Sequence, residues 1–118
     1  MHYSKQEMIV ETLQNSRKLI NGYRAYYLCS SLTIQLHRLH AKVEPTAQER
    51  EQTRIIYGLK RVIEKRLGEH LSLEGWMRAH HPHLMEWTPR GHQLPREARV
   101  QWLDSLIAEA KAGGFDAL

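Results

Sequence analysis

The chain has 118 residues, of which 42% are hydrophobic and 25% are charged. These values are typical of one globular domain and exclude a chain that is disordered throughout. A single cysteine excludes an internal disulfide, and no apolar run is long enough to span a membrane. The formal net charge is +4, and residues 1–43 carry six basic and two acidic groups, a bias too small for a dedicated nucleic-acid arm. Because the N-terminus is too polar for a signal peptide, we expect a cytoplasmic soluble protein.

The spacing of apolar residues predicts helices almost throughout, and no segment alternates like a half-buried strand. A capping box at Ser4 and Glu7 starts the first helix, which we expect to end or kink at Asn21-Gly22. The second helix, about residues 23–42, carries two apolar stripes and is therefore predicted as the central helix of the fold. The stripes contain Tyr23, Tyr27, Ile34 and Ala41, and Leu28, Leu32, Leu36 and Leu39.

A second capping box, Thr46 with Glu49, starts the third helix, which ends near Leu67 at a glycine. A short fourth helix ends before the His81-Pro82 dipeptide, and residues 81–94 are predicted as a loop. The last helix begins at Pro95 and is followed by a short flexible tail, residues 113–118. We predict a single all-α domain over residues 1–118, a small bundle of three to four long helices plus one short helix.

Histidines are concentrated in the predicted loop. With Glu86, the side chains of His81, His83 and His92 could supply ligands to zinc. The segment lacks the paired ligands at fixed spacing that are typical of structural zinc sites. We therefore prefer polar histidines that cap helix ends, and we expect no cofactor.

Arg78 and His83 have an R-x4-H spacing that resembles the motif of HEPN-type ribonucleases. In that family of small all-α domains the Arg and His act on the scissile phosphate. The chain departs from the pattern at Ala79, where the family usually has a polar residue, and Pro82 interrupts the helix that would hold the pair. A small hydrolase or nuclease centred on this loop is therefore our weakest hypothesis. No Ser–His–Asp set, glycine-rich phosphate loop or paired-carboxylate motif is apparent in the sequence, which favours a non-catalytic protein.

The outer face of the third helix carries a basic stripe whose members are three or four residues apart. The stripe consists of Arg50, Arg54, Tyr57, Arg61 and Lys65. Such a stripe could lie along a phosphate backbone or bind an acidic partner, although Glu51 and Glu64 flank it and can pair with it. A nucleic-acid-binding module is our second hypothesis. On the same helix Arg66 falls within the apolar arc, so we expect it to extend past the helix end or to pair with another chain.

Apolar residues around the predicted loop support the preferred hypothesis. Trp87 lies in the loop, and Leu84, Met85 and Met77 lie close to it in sequence. An apolar loop that cannot bury itself is typical of a partner-binding anchor. We interpret the chain as a non-catalytic helical interaction protein, a regulator or an adaptor, that binds a protein partner or self-associates.

Overall fold

The computed structural model describes residues 4–68, 73–80, 82–88, 91–93 and 95–118; for residues 73, 74, 76, 84, 86–88 and 91–93 it describes the backbone alone. Within these segments the helices are α1 (Lys5–Asn21), α2 (Leu28–His40), α3 (Ala47–Leu67), α4 (Leu73–His80) and α5 (Arg96–Lys111). The predicted all-α fold is confirmed. Inside the predicted loop, a 3₁₀ turn at Pro82–Leu84 precedes a short antiparallel pair, β1 (Glu86–Thr88) and β2 (Gly91–Gln93). No helix in the described segments is both long enough and apolar enough to cross a membrane.

Capping signals in the sequence correctly predict where α1 and α3 begin. The Ser4 hydroxyl accepts a hydrogen bond from the Glu7 N–H at 3.1 Å. Thr46 and Glu49 form a reciprocal capping box, in which each side chain accepts from the backbone N–H of the other at 3.0 and 2.9 Å. At its other end, α3 stops at Gly68, whose φ of 56° lies in the region that favours glycine.

The second helix begins later than predicted, at Leu28, so residues 22–27 form a non-helical segment that we call the linker. Tyr23 has a φ of 60°, a left-handed conformation that an α-helix cannot continue through. The backbone N–H groups of Arg24 and Ala25 both donate to the Leu19 carbonyl, at 2.8 and 3.2 Å. These bonds close the end of α1 and redirect the chain before α2 starts.

The prediction of a central second helix is wrong, because α1 occupies the centre. α1 packs extensively against α5 and also against α2 and α3, whereas α2 packs mainly against α1 and α3. The tyrosine-led stripe of the second helix does not form, because Tyr23 and Tyr27 precede the helix, Ile34 is half-buried and Ala41 is exposed. The leucine stripe does face the core, where Leu28, Leu32 and Leu36 are buried.

A polar network is buried between α1 and α2. The Gln35 side-chain amide donates to the Thr12 carbonyl at 3.1 Å and to the Ser16 hydroxyl at 2.9 Å. All three residues are buried, and buried polar groups are stable only when they are hydrogen-bonded. The network therefore fixes how the two helices lie against each other.

The hydrophobic core joins α1, α2, α3 and α5, and the residues that α5 contributes to it are Val100, Leu103, Leu106, Ile107 and Ala110. Its fully buried large apolar side chains are Ile9, Leu13, Ile20, Leu32, Ile55, Ile56, Leu59, Ile63 and Leu103. The C-terminal residues differ from the predicted flexible tail, because Phe115 is only 3% exposed and joins this core. Gly113, with a φ of 84°, turns the chain back toward the helices just before Phe115.

Arg66 fastens this C-terminal segment to α3. Its guanidinium donates two hydrogen bonds to the Glu109 carboxylate, one of them at 2.8 Å, and lies 4.9 Å from the centre of the Phe115 ring. The hydrogen bonds from Arg66 lower the pKa of Glu109. Arg66 thus pairs with a carboxylate of its own chain, which corrects one of the two alternatives expected for it, the pairing with another chain.

Candidate interaction site

The basic stripe predicted on α3 is exposed along its whole length, and we call it the α3 basic face. Its members are Arg50, Arg54, Tyr57, Arg61 and Lys65. Ile56, Leu59 and Ile63 anchor the opposite side of the helix in the core, which directs the basic residues to the solvent. With about 1.5 Å of rise per residue, the face is roughly 22 Å long. Tyr57 is 42% exposed and lies between Arg54 and Arg61 in the sequence.

Beside this face lies a cleft of about 420 Å³, which we call the α3 cleft. Its floor is apolar and is formed by Ile55, Gly58 and Leu118. A methyl group at Gly58 would lie 3.3 Å from a terminal carbon of Leu118, so the missing side chain lets the C-terminal leucine approach the helix. The cationic rim consists of Lys5, Arg54 and Arg61, and Tyr57 and Glu51 complete the lining.

Several cations of the α3 basic face already have partners within the protein. Arg54 forms an ion pair with Glu51 at 3.1 Å, and Arg50 donates to the Pro45 carbonyl at 2.7 Å. Arg61 and Lys65 form no ion pair or hydrogen bond through their side chains with any residue that the structure describes. The face is therefore cationic but mixed, with a carboxylate on the rim of its cleft.

The predicted partner-binding residues do not share one surface. Met77 and Met85 are 8% and 9% exposed and belong to the core, so neither presents a surface to a partner in this fold. Flexible methionine side chains suit irregular gaps in a core, which explains their place here. Leu84 lies in the 3₁₀ turn and Trp87 in β1, but their side chains lie outside the described part. Partner binding through Trp87 and Leu84 stays a prediction.

The predicted metal ligands fall largely outside the described residues. His81 lies outside them, and the side chain of His92 does as well, whereas His83 is exposed in the 3₁₀ turn. Among the side chains that the structure does describe, no three from His, Cys, Asp and Glu are grouped closely enough to hold a metal ion. Metal binding by His81, His83 and His92 is thus an untested prediction.

The structure also places the residues that could have carried catalysis. Arg78 lies on α4 and His83 in the following 3₁₀ turn, so no single helix holds both, as the proline between them predicts. Cys29 is half-buried, and this burial raises the pKa of its thiol. A raised pKa reduces the fraction of reactive thiolate, which argues against a nucleophilic role for Cys29.

Part of the α3 cleft carries no sequence signal. Lys5 and Leu118 lie at opposite ends of the chain, and Gly58 is an isolated glycine within a helical pattern. Only the packing of α1 and the C-terminal segment onto α3 brings the three together. The exposed tyrosines Tyr23 and Tyr26, at 74% and 37%, fall within the predicted second helix, residues 23–42, but lie in the linker instead.

No model of a protein family matches the chain, and no curated protein or solved structure matches it. Its function is therefore inferred from the arrangement of its own residues.

Proposed function

We propose that the chain is a non-catalytic interaction protein that binds an acidic segment of a protein partner through the α3 cleft. The observation that supports this most directly is the combination of an apolar floor with a cationic rim in one cleft. Protein-binding surfaces commonly have this anatomy, in which an apolar centre contributes affinity and polar groups around it contribute orientation and specificity. The cleft volume of about 420 Å³ is within the range of pockets that accept small ligands and side chains.

The residues that line the α3 cleft indicate which kind of partner segment it would bind. An apolar side chain of the partner would lie against Gly58 and Leu118, where it loses contact with water. Carboxylates on either side of that anchor would meet Lys5, Arg54 and Arg61. The structure thus favours a segment in which acidic residues flank one or two large apolar residues.

A nucleic acid is the second candidate, and the exposed Tyr57 between two arginines favours it, because bases stack on aromatic rings beside cations. The carboxylate of Glu51 weighs against it. Glu51 is on the rim and pairs with Arg54 at 3.1 Å. A nucleic-acid strand carries a charge about every 3.4 Å and would meet that carboxylate repulsively, whereas an acidic peptide can present a neutral residue there.

The test uses a fluorescein-labelled peptide of twelve residues, with Glu and Asp around a central Leu-Phe pair, measured by fluorescence anisotropy. In a second peptide of equal charge, glycines replace Leu and Phe. We expect the first peptide to bind at least tenfold more tightly than the second, because only the first can fill the apolar floor. Equal binding of the two peptides would show that the interaction is purely ionic and would contradict the use of the cleft.

The matched variants are Arg54→Glu/Arg61→Glu on the α3 cleft and Arg24→Glu/Arg38→Glu elsewhere on the surface. Each double change lowers the formal net charge by four, from +4 to 0, so a general electrostatic effect would be the same in both. We expect the first to weaken peptide binding at least tenfold and the second less than threefold. Exposed charges contribute about 1 kcal/mol or less to stability, so both variants should stay folded by circular dichroism.

Two further readouts separate the remaining possibilities. A single-stranded oligonucleotide that binds more tightly than the peptide, and loses that binding in Arg54→Glu/Arg61→Glu, would favour the nucleic-acid candidate. Light scattering at micromolar concentration tests self-association, for which the mass would exceed the 13.9 kDa of one chain. A strict monomer over a wide concentration range would leave only a partner other than the chain itself.

A further inference from the structure

A second cationic cleft lies where the linker leaves α1, on a part of the molecule that the proposed function does not use. The cleft, which we call the linker cleft, has a volume of about 510 Å³. Three of its lining residues are cations, namely Lys18 of α1, Arg24 of the linker and Arg38 of α2. The other lining residues that the structure describes are Asn15, Leu19 and Gly22, so no carboxylate is among the described lining residues.

The lack of carboxylates extends well beyond the cleft lining. No Asp or Glu occurs between Glu11 and Glu44 in the sequence. In the part of the chain that the structure describes, the side chains of Lys18, Arg24 and Arg38 have no ion-pair or hydrogen-bond partner. Favourable interactions with helix C-termini account for single cations at the ends of α1 and α2, but not for three of them around one cleft. Their mutual repulsion would be relieved by a bound anion.

The linker also carries an exposed aromatic ring, next in the sequence to two residues of the cleft lining. Tyr23 lies between Gly22 and Arg24, both of which line the cleft, and it is 74% exposed. The Arg96 guanidinium is 4.4 Å from the centre of its ring, so one side of the ring is supported while most of the residue stays open to solvent. An exposed ring beside phosphate-binding cations is the usual arrangement for stacking a nucleic-acid base.

Two arginines of α5 hold the linker in this shape. Arg96 donates to the Asn21 carbonyl at 3.1 Å, at the start of the linker. Near its end, Arg99 donates to the Tyr26 carbonyl at 2.7 Å and lies 3.8 Å from the centre of the Tyr26 ring. Arg99 is only 7% exposed, so this contact is a buried support and not a ligand-binding group. A site held in shape before binding loses less conformational entropy when its ligand arrives.

We propose that the linker cleft binds a nucleotide unit, with the phosphate held by Lys18, Arg24 and Arg38 and the base stacked on Tyr23. Phosphate is preferred over a carboxylate because it offers several oxygens and up to two negative charges to three converging cations. Unlike the α3 cleft, this cleft has no carboxylate among its described lining residues that would repel a phosphate. The same unit occurs in free nucleotides and in single-stranded nucleic acid, and the experiment distinguishes these sources.

The direct test measures binding of a fluorescein-labelled decathymidylate to the full chain by fluorescence anisotropy, with ATP, AMP and inorganic tripolyphosphate as competitors. Because the cleft holds one phosphate, log affinity for the strand should fall with log salt at a slope of only about −0.7. If ATP and AMP displace the labelled strand at concentrations equal to that of its thymidine units, the ligand is a free nucleotide. Binding of the strand without competition by either would identify single-stranded nucleic acid, and both outcomes support the proposal.

The matched variants again distinguish the two clefts. Arg24→Gln/Arg38→Gln should weaken nucleotide binding at least tenfold, whereas Arg54→Gln/Arg61→Gln should change it less than twofold. Each pair lowers the net charge equally, from +4 to +2. Tyr23→Gly removes the ring at a position whose φ of 60° suits glycine, so the variant should fold and yet lose about tenfold in affinity. Tyr23→Phe keeps the ring and should bind like the wild type.

Four outcomes would overturn the proposal. One is the absence of saturable binding by any nucleotide probe at low salt. Another is tripolyphosphate binding as tightly as ATP with no effect of Tyr23→Gly, which would show a simple anion site without base recognition. A loss of binding in Arg54→Gln/Arg61→Gln but not in Arg24→Gln/Arg38→Gln would place the ligand on α3. Binding to vesicles that contain anionic lipid, without binding to any nucleotide, would identify a membrane surface as the ligand instead.

Discussion

The α3 basic face and the linker cleft are both cationic, and an exposed tyrosine is next in the sequence to or among their residues, but they differ in the acidic residues near the cations. On α3, Glu51 lies three residues before Arg54 and pairs with it, as helix spacing allows. The cations of the linker cleft come from α1, α2 and the linker, and none of the lining residues that the structure describes is acidic. A cationic surface formed by one helix is thus partly neutralised by that helix, whereas a surface formed by several segments can stay unneutralised.

The two surfaces also differ in what holds them in place. The α3 basic face depends on a long helix whose opposite side is in the core, so its geometry survives most changes elsewhere. The linker cleft depends on a segment without regular structure, which Arg96 and Arg99 fasten to α5. We therefore expect remote substitutions to affect nucleotide binding more than peptide binding.

The largest effect is expected from Arg99→Ala. The change removes a buried hydrogen bond to the Tyr26 carbonyl and the stacking of the guanidinium on the Tyr26 ring. Losing a buried charged donor together with its packing should lower the free energy of unfolding by about 2–3 kcal/mol, measured by urea denaturation. Because the linker is released, nucleotide affinity should fall at least tenfold while acidic-peptide affinity stays within twofold.

Arg96→Ala gives a milder comparison for this prediction, because Arg96 also holds the linker. Its side chain is 31% exposed and supports the linker from the solvent side, so its removal should cost about 1 kcal/mol or less. An Arg99→Ala variant as stable as the wild type, with unchanged nucleotide affinity, would refute the role of Arg99 as a positioning residue.

Thr46→Ala should have the next largest effect on stability, and it changes the helix that carries the α3 basic face. The variant loses the hydroxyl that accepts from the Glu49 N–H at 3.0 Å, so the first turn of α3 frays. Removing such a cap typically costs about 1 kcal/mol in the free energy of unfolding. Thr46→Ser keeps the hydroxyl and should retain most of the stability. Nucleotide affinity should not change in either variant, and a change would show that the two surfaces are coupled.

Most of the helical fold was predictable from the sequence because its signals are local. Capping patterns at Ser4 and Thr46 marked the starts of α1 and α3, and apolar spacing marked the buried side of α3. The late start of α2 was not predictable, because Tyr23 and Tyr27 continue the apolar spacing of a helix. The non-helical linker is held by hydrogen bonds from Arg96 and Arg99, which are more than 70 residues away along the chain.

The same difference separates the two candidate surfaces. The α3 basic face was predictable because one helical period arranges all its members, whereas the α3 cleft beside it also needs Lys5 and Leu118 from the two ends of the chain. The linker cleft was not predictable as a site, although the positive excess of residues 1–43 was visible in the sequence. Met77 and Met85 were wrongly predicted to lie on a surface. Composition alone cannot distinguish apolar residues of an exposed loop from apolar residues that fill the core.

A smaller effect is expected from Glu109→Gln, which tests the ion pair between α5 and Arg66 of α3. Hydrogen bonds from Arg66 lower the pKa of Glu109 below its ordinary value of 4.5. A lowered folded-state pKa means that the pair stabilises the protein above pH 4.5 and that this contribution is lost as the pH falls through the folded-state pKa. The side chains are 43% and 35% exposed, so the contribution should stay below about 1 kcal/mol.

Urea denaturation of the wild type and Glu109→Gln between pH 7 and pH 3 measures this contribution. The difference in unfolding free energy between the wild type and Glu109→Gln should be constant from pH 7 to about pH 5. Below that pH it should decrease toward zero, because protonation of Glu109 has the same effect as the substitution. In Arg66→Gln/Glu109→Gln the cost should be less than the sum of the single changes, as expected for one shared interaction. A difference that grows toward acid pH would have the wrong sign for a lowered pKa.

The smallest effect on stability, and the sharpest separation of the two clefts, is expected from Gly58→Ala. Glycine within a helix costs about 0.5–1 kcal/mol relative to alanine. The new methyl group would lie 3.3 Å from a terminal carbon of Leu118, whose side chain is half-buried and must shift by a few tenths of an ångström. We therefore expect a net change in the free energy of unfolding within about 0.5 kcal/mol of zero, on the stabilising side.

Binding should respond more clearly than stability, because the methyl group raises the apolar floor of the α3 cleft. The peptide with the Leu-Phe anchor should bind about threefold more weakly to Gly58→Ala and more than tenfold more weakly to Gly58→Leu, whose side chain fills the cleft. The glycine-containing control peptide and the nucleotide probe should bind both variants as they bind the wild type, since neither uses this floor. Equal losses for all three probes would show that Gly58 acts through the fold and not through the cleft, and the assignment of separate ligands to the two surfaces would then fail.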